Sequence, residues 1–325
     1  MDALILNHKS LYALIVVVVL FCASGASCPK KSQLVNDNAP VLLSLQPSLE
    51  DIIRVVNANS TQVQKVQSTG ATLTVPGPGI PALEATYAFE RPNRFRLRAE
   101  TRLAGPELDL GSNDEAYWMW VKRSDERAVY WGRHEQFYQS ATKEIVPVPP
   151  NWLIEALGVV EIDPTGEHEG PFPARPGHLQ IRSRIHTPSG ELTKITVVDA
   201  SRGLVVEQHL FDTANQPLAS ALASGFQYDA SNSVSLPRNV EIRLPPADLV
   251  FTLKTERHLI NQVVGDDRQL WAMPQIDGYP YVDLGNPNAL QPNQAQAGVM
   301  PNPYSSQSIP RNAAIRRLPP FDRLR

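Results

Sequence analysis

Between Leu83 and Arg98 the chain alternates with a period of two. Leu83, Ala85, Tyr87 and Phe89 are interleaved with Glu84, Thr86, Ala88 and Glu90. After Arg91-Pro92-Asn93, Phe95 and Leu97 are interleaved with Arg94, Arg96 and Arg98. Successive side chains of a strand point to opposite faces, so this pattern predicts two antiparallel strands with one apolar and one charged face. Such a hairpin must lay its apolar face on something else, which excludes an all-helical fold and demands a covered sheet. Acids on the first strand opposite arginines on the second predict cross-strand pairs of about 0.2 to 1 kcal/mol each. The arginine row therefore reads as a solvated face.

Further strand patterns follow at 107–110, 117–121, 128–131, 179–185, 192–198, 204–211, 218–228, 240–244 and 249–258, separated by Gly-, Asn-, Asp- and Pro-containing turns. With the hairpin the count is near eleven, more than a small open sheet carries without curling or splitting. Two helices are predicted. Ser48 precedes Leu49 with Asp51 three residues on, a capping arrangement, and Leu49, Ile52, Ile53 and Val56 follow at helical spacing, with the helix running on toward Val66. The second covers 150–157, with Pro150 at its start and Gly158 as its stop. Residues 75–81 and the Gly- and Pro-rich neighbourhood of Glu167-His168-Glu169 read as loops.

Both ends differ in composition from this middle. Lys9 precedes the apolar run 11–21, then come small residues up to Cys28 and Pro29-Lys30-Lys31. A positive start, an apolar centre of about 7 to 15 residues and a small-residue zone make an export signal, and the run is shorter than the roughly 20 residues of a spanning helix. Ser24-Gly25-Ala26 suits cleavage before Ser27, and Ala26-Ser27-Cys28 suits cleavage before a lipidated Cys28. Cys22 leaves with the leader in either case, so the exported chain has a single thiol and no internal disulfide. The expected organisation is a signal peptide of lipoprotein type at 1–27, a linker at 28–44, a folded domain at 45–275 and a Pro-, Asn- and Gln-rich disordered tail at 285–325. The basic terminus around Arg316 and Arg317 reads as solvated.

No catalytic motif is present: there is no G-x-S-x-G turn, zinc helix, P-loop or dinucleotide loop. His134-Glu135 is followed by Tyr138 where a second zinc histidine would stand. Glu167-His168-Glu169 lacks a companion cluster. No catalytic residue, metal ligand or cofactor is therefore assigned. A formal net charge of -3 leaves no electrostatic footprint for nucleic acid.

The order of these elements resembles the LolA/LolB family of periplasmic lipoprotein carriers and outer-membrane lipoprotein receptors over most of 49–273. The resemblance rests on Ala85-Thr86-Tyr87-Ala88-Phe89-Glu90-Arg91-Pro92-Asn93-Arg94-Phe95-Arg96, on Asn113-Asp114-Glu115-Ala116-Tyr117-Trp118-Met119-Trp120 and on Leu236-Pro237-Arg238-Asn239-Val240-Glu241-Ile242. The leader resembles a lipobox, with Gly25 where that family carries Leu. The resemblance implies a mainly β, α+β fold: an unclosed antiparallel β-barrel of about eleven strands with a helical lid. It also implies a non-enzymatic lipoprotein that binds an acyl chain or other hydrophobic ligand, lipid-anchored in the cell envelope at the periplasmic face of the outer membrane, where Pro29 after Cys28 also points. Residues expected to line the ligand site are Tyr87, Phe89, Phe95, Leu97, Trp118, Trp120 and Trp131 on strands and Ile52, Ile53, Val56, Trp152 and Leu153 on the lid. The partners expected are lipoprotein acyl chains and the membrane. An envelope sensor or scaffold using the same sheet to contact a protein is the alternative, and an unrecognised hydrolase a third; Arg96→Glu is expected to separate the scaffold from the lipid binder.

Overall fold

A computed structural model describes residues 39–77, 79–124, 127–139 and 146–286. The expected leader, the lipidation at Cys28 and the tail from 287 onward lie outside the described residues. Among the described residues, α1 (Leu49–Thr61) is followed by β1 (Lys65–Thr74), β2 (Leu83–Glu90), β3 (Arg94–Thr101), β4 (Gly105–Ser112), β5 (Ala116–Val121) and β6 (Val129–Arg133). Then come α2 (Pro150–Ala156), β7 (Glu167–Arg175), β8 (His178–Thr187), β9 (Gly190–Asp199), β10 (Val205–Phe211), β11 (Pro217–Asp229), β12 (Val234–Leu244) and β13 (Leu249–Ile260). The short α3 (Asp267–Leu270) and β14 (Tyr281–Asp283) close the series.

All fourteen strands form one sheet in the order β14-β6-β5-β4-β3-β2-β1-β13-β12-β11-β10-β9-β8-β7. Every pairing is antiparallel except β14 with β6. The two end strands do not meet, so the sheet is an unclosed, mainly antiparallel half-barrel. Its curl follows from α2, which touches both β3 and β11. Those strands are five spacings apart, about 24 Å in a flat sheet, whereas a helix is about 10 Å across. The sheet therefore wraps around the helix.

The strand count exceeds the expected eleven by β1, β7 and β14. Helical spacing extends to Val66, but α1 stops at Thr61 and Val66 pairs with Phe89 on one side and Ile260 on the other. β1 is the strand that joins the two halves of the sheet, and its backbone groups are satisfied from both sides. β7 occupies the expected loop around Glu167-His168-Glu169. Pro171 and Pro173 fit there because β7 is an edge strand with register shifts, where one side of the backbone needs no ladder partner.

The inner face holds the core. Tyr87, Phe89, Phe95 and Leu97 pack with Trp152, Ile154 and Leu157 and with Leu236, Ile242, Phe251 and Leu253 from the far wall. Burial of each large apolar side chain contributes roughly 1.5 to 3 kcal/mol. α1 covers a second cluster, in which Ile52, Ile53, Val55 and Val56 meet Ile162, Ile181, Val198 and Val205. Its start is capped by Ser48 Oγ, which accepts from Asp51 N–H at 3.1 Å.

The outer face departs from expectation at Arg96. Its side chain is only 3% exposed and pairs with Asp109 of β4, not with an acid of β2. Nε and Nη2 donate to the two Asp109 oxygens at 3.1 and 2.6 Å, and Nη1 donates to the carbonyls of Leu270 and Ala272 at 2.9 and 2.5 Å. The cause is the segment after β13, which crosses this face and turns a solvated row into an interface. Arg94 keeps the expected character, paired with Asp114 at 2.6 Å near the surface.

Candidate ligand-binding site

α2 lies in the hollow of the sheet. Pro150 at its first position needs no hydrogen-bond partner for its nitrogen, and Gly158, with φ of +102°, ends it where a Cβ would come within 2.4 Å of Pro237 Cδ. Trp152, Ile154 and Ala156 are buried. Glu155 holds the helix to the wall: its carboxylate pairs with Lys194 of β9, and its carbonyl accepts from Gln208 Nε2 of β10 at 2.9 Å.

This contact is not fully satisfied. Thr196 and Gln208 are cross-strand neighbours on the same inner face. Among the described residues, Thr196 Oγ1, Gln208 Oε1 and Trp152 Nε1 are buried without a hydrogen-bond partner. Each such atom costs about 1 to 3 kcal/mol relative to a paired one, so the closed seat of α2 carries a built-in penalty.

A cavity of about 50 Å³ lies beside the start of α2, lined by Phe95, Leu110, Gly111, Tyr117, Trp118, Met119, Val146, Val148, Pro150, Leu153, Leu244, Leu249 and Phe251. Water-sized occupants need about 10 to 15 Å³ each on this measure, and ligand pockets run from about 300 Å³ upward. The hollow is therefore closed down to a remnant with apolar walls.

A second set of polar groups interrupts the inner wall at β1, β2 and β13. The Tyr87 hydroxyl lies 2.7 Å from His258 Nε2 and 3.2 Å from Thr255 Oγ1, while Ser68 Oγ accepts from Tyr87 N–H at 2.8 Å. Burial pushes the Tyr87 phenol upward. Burial, with a smaller contribution from Arg238, pulls His258 down to about 4, so this imidazole is neutral.

Of the residues expected to line a site, Phe95, Trp118 and Leu153 line the cavity, and Tyr87, Phe89, Leu97 and Trp152 belong to the same core around it. Ile52, Ile53 and Val56 are packed in the separate cluster under α1. The rings of the three strand tryptophans lie on the outer face, although Trp118 also borders the cavity from its strand. Trp118 is in register with Gly111 and Trp131, and Gly111 with Arg96, so these side chains share the outer face. The Trp118 ring lies where a Cβ on Gly111 would come within 2.2 Å, its Nε1 donates to Asp109 at 2.9 Å, and Arg96 stacks over it at 5.3 Å. Trp131 packs with Met273 and Tyr281, and Trp120 meets Tyr279 edge-on at 5.4 Å. Aromatic rings suit either face of a strand, and this corner is covered on both.

Leu110, Met119, Leu244, Leu249 and Phe251 join the wall without having been expected there. For Phe251 a signal existed, since Phe251 and Leu253 alternate with Thr252 and Lys254. Lys194, Gln208 and His258 carry no local signal, because their roles come from partners distant in sequence.

No protein-family model matches the chain, and no curated protein matches it. Solved structures similar to it include an outer membrane lipoprotein-sorting protein domain from Vibrio parahaemolyticus, at 6% identity over 66% of this chain and 94% of that one, TM-score 0.46. A LolA superfamily protein from Nitrosomonas europaea is similar at 8% identity over 70% and 99%, TM-score 0.43. A DUF1329 family protein from Desulfovibrio piger is similar at 9% identity over 67% and 94%, TM-score 0.44.

Proposed function

We propose that this protein is a non-enzymatic cell-envelope lipoprotein whose half-barrel binds an acyl chain or another hydrophobic ligand, with Cys28 as its lipid attachment at the periplasmic face of the outer membrane. The observation that carries the reading is the remnant cavity beside α2, apolar on its walls and set inside a sheet that curls without closing. Entry of a ligand requires α2 to leave its seat. Burial of an acyl chain contributes about 0.8 kcal/mol per CH₂, so half of one long chain supplies several kcal/mol. The penalty of three unpaired polar atoms under α2 offsets part of what closing the helix gains, which keeps opening within reach of that binding energy. A ligand that takes the place of the Leu153 side chain against Phe95 and Met119 keeps those walls in apolar surroundings while α2 is lifted.

The test uses the leaderless Cys28→Ser protein, extracted with organic solvent and analysed by mass spectrometry. Near-stoichiometric acyl lipid is expected, and Leu110→Trp, which fills the cavity, is expected to lose at least about tenfold of it while keeping the wild-type circular dichroism spectrum. Lipid-free wild-type protein that also excludes a fluorescent fatty acid would overturn the reading.

A further inference from the structure

The segment leading into α1 presents apolar side chains to solvent in a fixed shape. The main-chain N–H groups of Leu42 and Leu43 both donate to the Ser201 carbonyl at 3.0 Å. Leu43 is buried against the α1 cluster, close to Gly203. With that residue clamped, its neighbours turn outward: Val41 is 68% exposed, Leu42 55% and Leu45 fully exposed. Three outward apolar side chains within five positions form a knuckle that the fold holds in place but does not cover.

We infer that this knuckle inserts into the headgroup region of a lipid bilayer and so sets the orientation of the domain on the membrane. The inference rests on the anchored reading of Cys28. Residues 29–40 separate that cysteine from Val41, a tether of at most about 45 Å, which keeps the knuckle near the membrane but does not by itself orient the domain. The stretch from Asn38 to Leu49 contains no charged residue; Asp37 borders it on the tether side and Glu50 and Asp51 on the other, and Lys30 and Lys31 lie next to the anchor, where they suit an anionic lipid surface. An uncharged segment with three outward apolar side chains, held close to the bilayer by a short lipid tether, matches shallow interfacial insertion and gives the anchored chain a second membrane contact. The start of α1 is thereby turned toward the bilayer.

The experiment attaches the leaderless protein, through its single Cys28 thiol, to a maleimide lipid in phosphatidylethanolamine and phosphatidylglycerol vesicles with brominated acyl chains. The native tryptophans are at most 8% exposed, so they form a protected background. Leu45→Trp is expected to add a blue-shifted emission that the brominated lipid quenches at least about twofold, while Ser189→Trp, on the far β8–β9 turn, stays unquenched. Unquenched Leu45→Trp overturns the inference. A blue shift that grows with protein density in unbrominated vesicles also overturns it and makes a second copy the occupant. The intact mass of the native protein decides the anchored reading separately: an unmodified Cys28 overturns that reading whatever the vesicles report.

Discussion

His258 stands on the inner wall facing the Tyr87 hydroxyl, with Thr255, Ser68 and Arg238 as its polar neighbours. Its folded pKa of about 4 lies below the unfolded value near 6.5. Between those values the unfolded chain takes up a proton that the folded protein refuses. The stabilisation is therefore complete above about pH 6.5 and is lost as pH falls through 4, at up to about 1.4 kcal/mol per pH unit. Urea unfolding is expected to show wild type losing about 1.5 kcal/mol between pH 6.5 and pH 5 and His258→Gln losing less than half of that. Superimposed slopes would mean that the imidazole is already solvated in the folded state. Arg96 is the other single residue whose setting changes its interpretation. Removing one member of a buried ion pair costs about 3 to 5 kcal/mol, so Arg96→Glu measures the integrity of the outer face and no longer separates a scaffold from a lipid binder.

The seat of α2 depends on a few polar contacts at its last turn. Lys194→Met leaves Glu155 without its cation while Gln208 still donates to the Glu155 carbonyl. Hydrogen exchange is expected to speed up about tenfold at the amides of 151–157, equivalent to about 1.4 kcal/mol of local opening, with a smaller change in the global urea midpoint. Equal changes in both would show that α2 opens only with the whole domain. How far such elements are legible in the chain depends on the range of the forces that define them. The Ser48 cap, the Pro150 start and Gly158 stop, and the alternation from Leu83 to Leu97 act over a few residues, and each marks a real element. The C-terminal limit of α1 is not legible, because Val66 fits a helical spacing equally well and only its pairing with Phe89 and Ile260 makes it strand. Nor is the seat of α2, since the spacing from Glu155 to Lys194 and Gln208 repeats nothing.

The half-barrel is covered on one side by its helices and, at one corner, on the other side by the segment that follows β13. That segment supplies Trp271, Met273, Tyr279 and Tyr281 and the carbonyls that Arg96 caps, yet its sequence has no period, so the outward rings of Trp118, Trp120 and Trp131 read as ligand wall instead of as its bed. Ending the chain at Ile260 is expected to expose those rings, raising binding of an apolar dye several-fold over a chain ending at Asn286 and lowering solubility. Unchanged dye binding would show that the corner repacks alone. The pairing of β1 with β13 carries a consequence for how the protein comes to be. Val66 lies beside Ile260, so the seam that unites both halves of the sheet cannot form until nearly the entire domain is available. Contacts so distant along the chain make for slow folding. Until β13 is available, the edge of β1 that faces it stays unpaired, so neither half of the sheet is complete without the other.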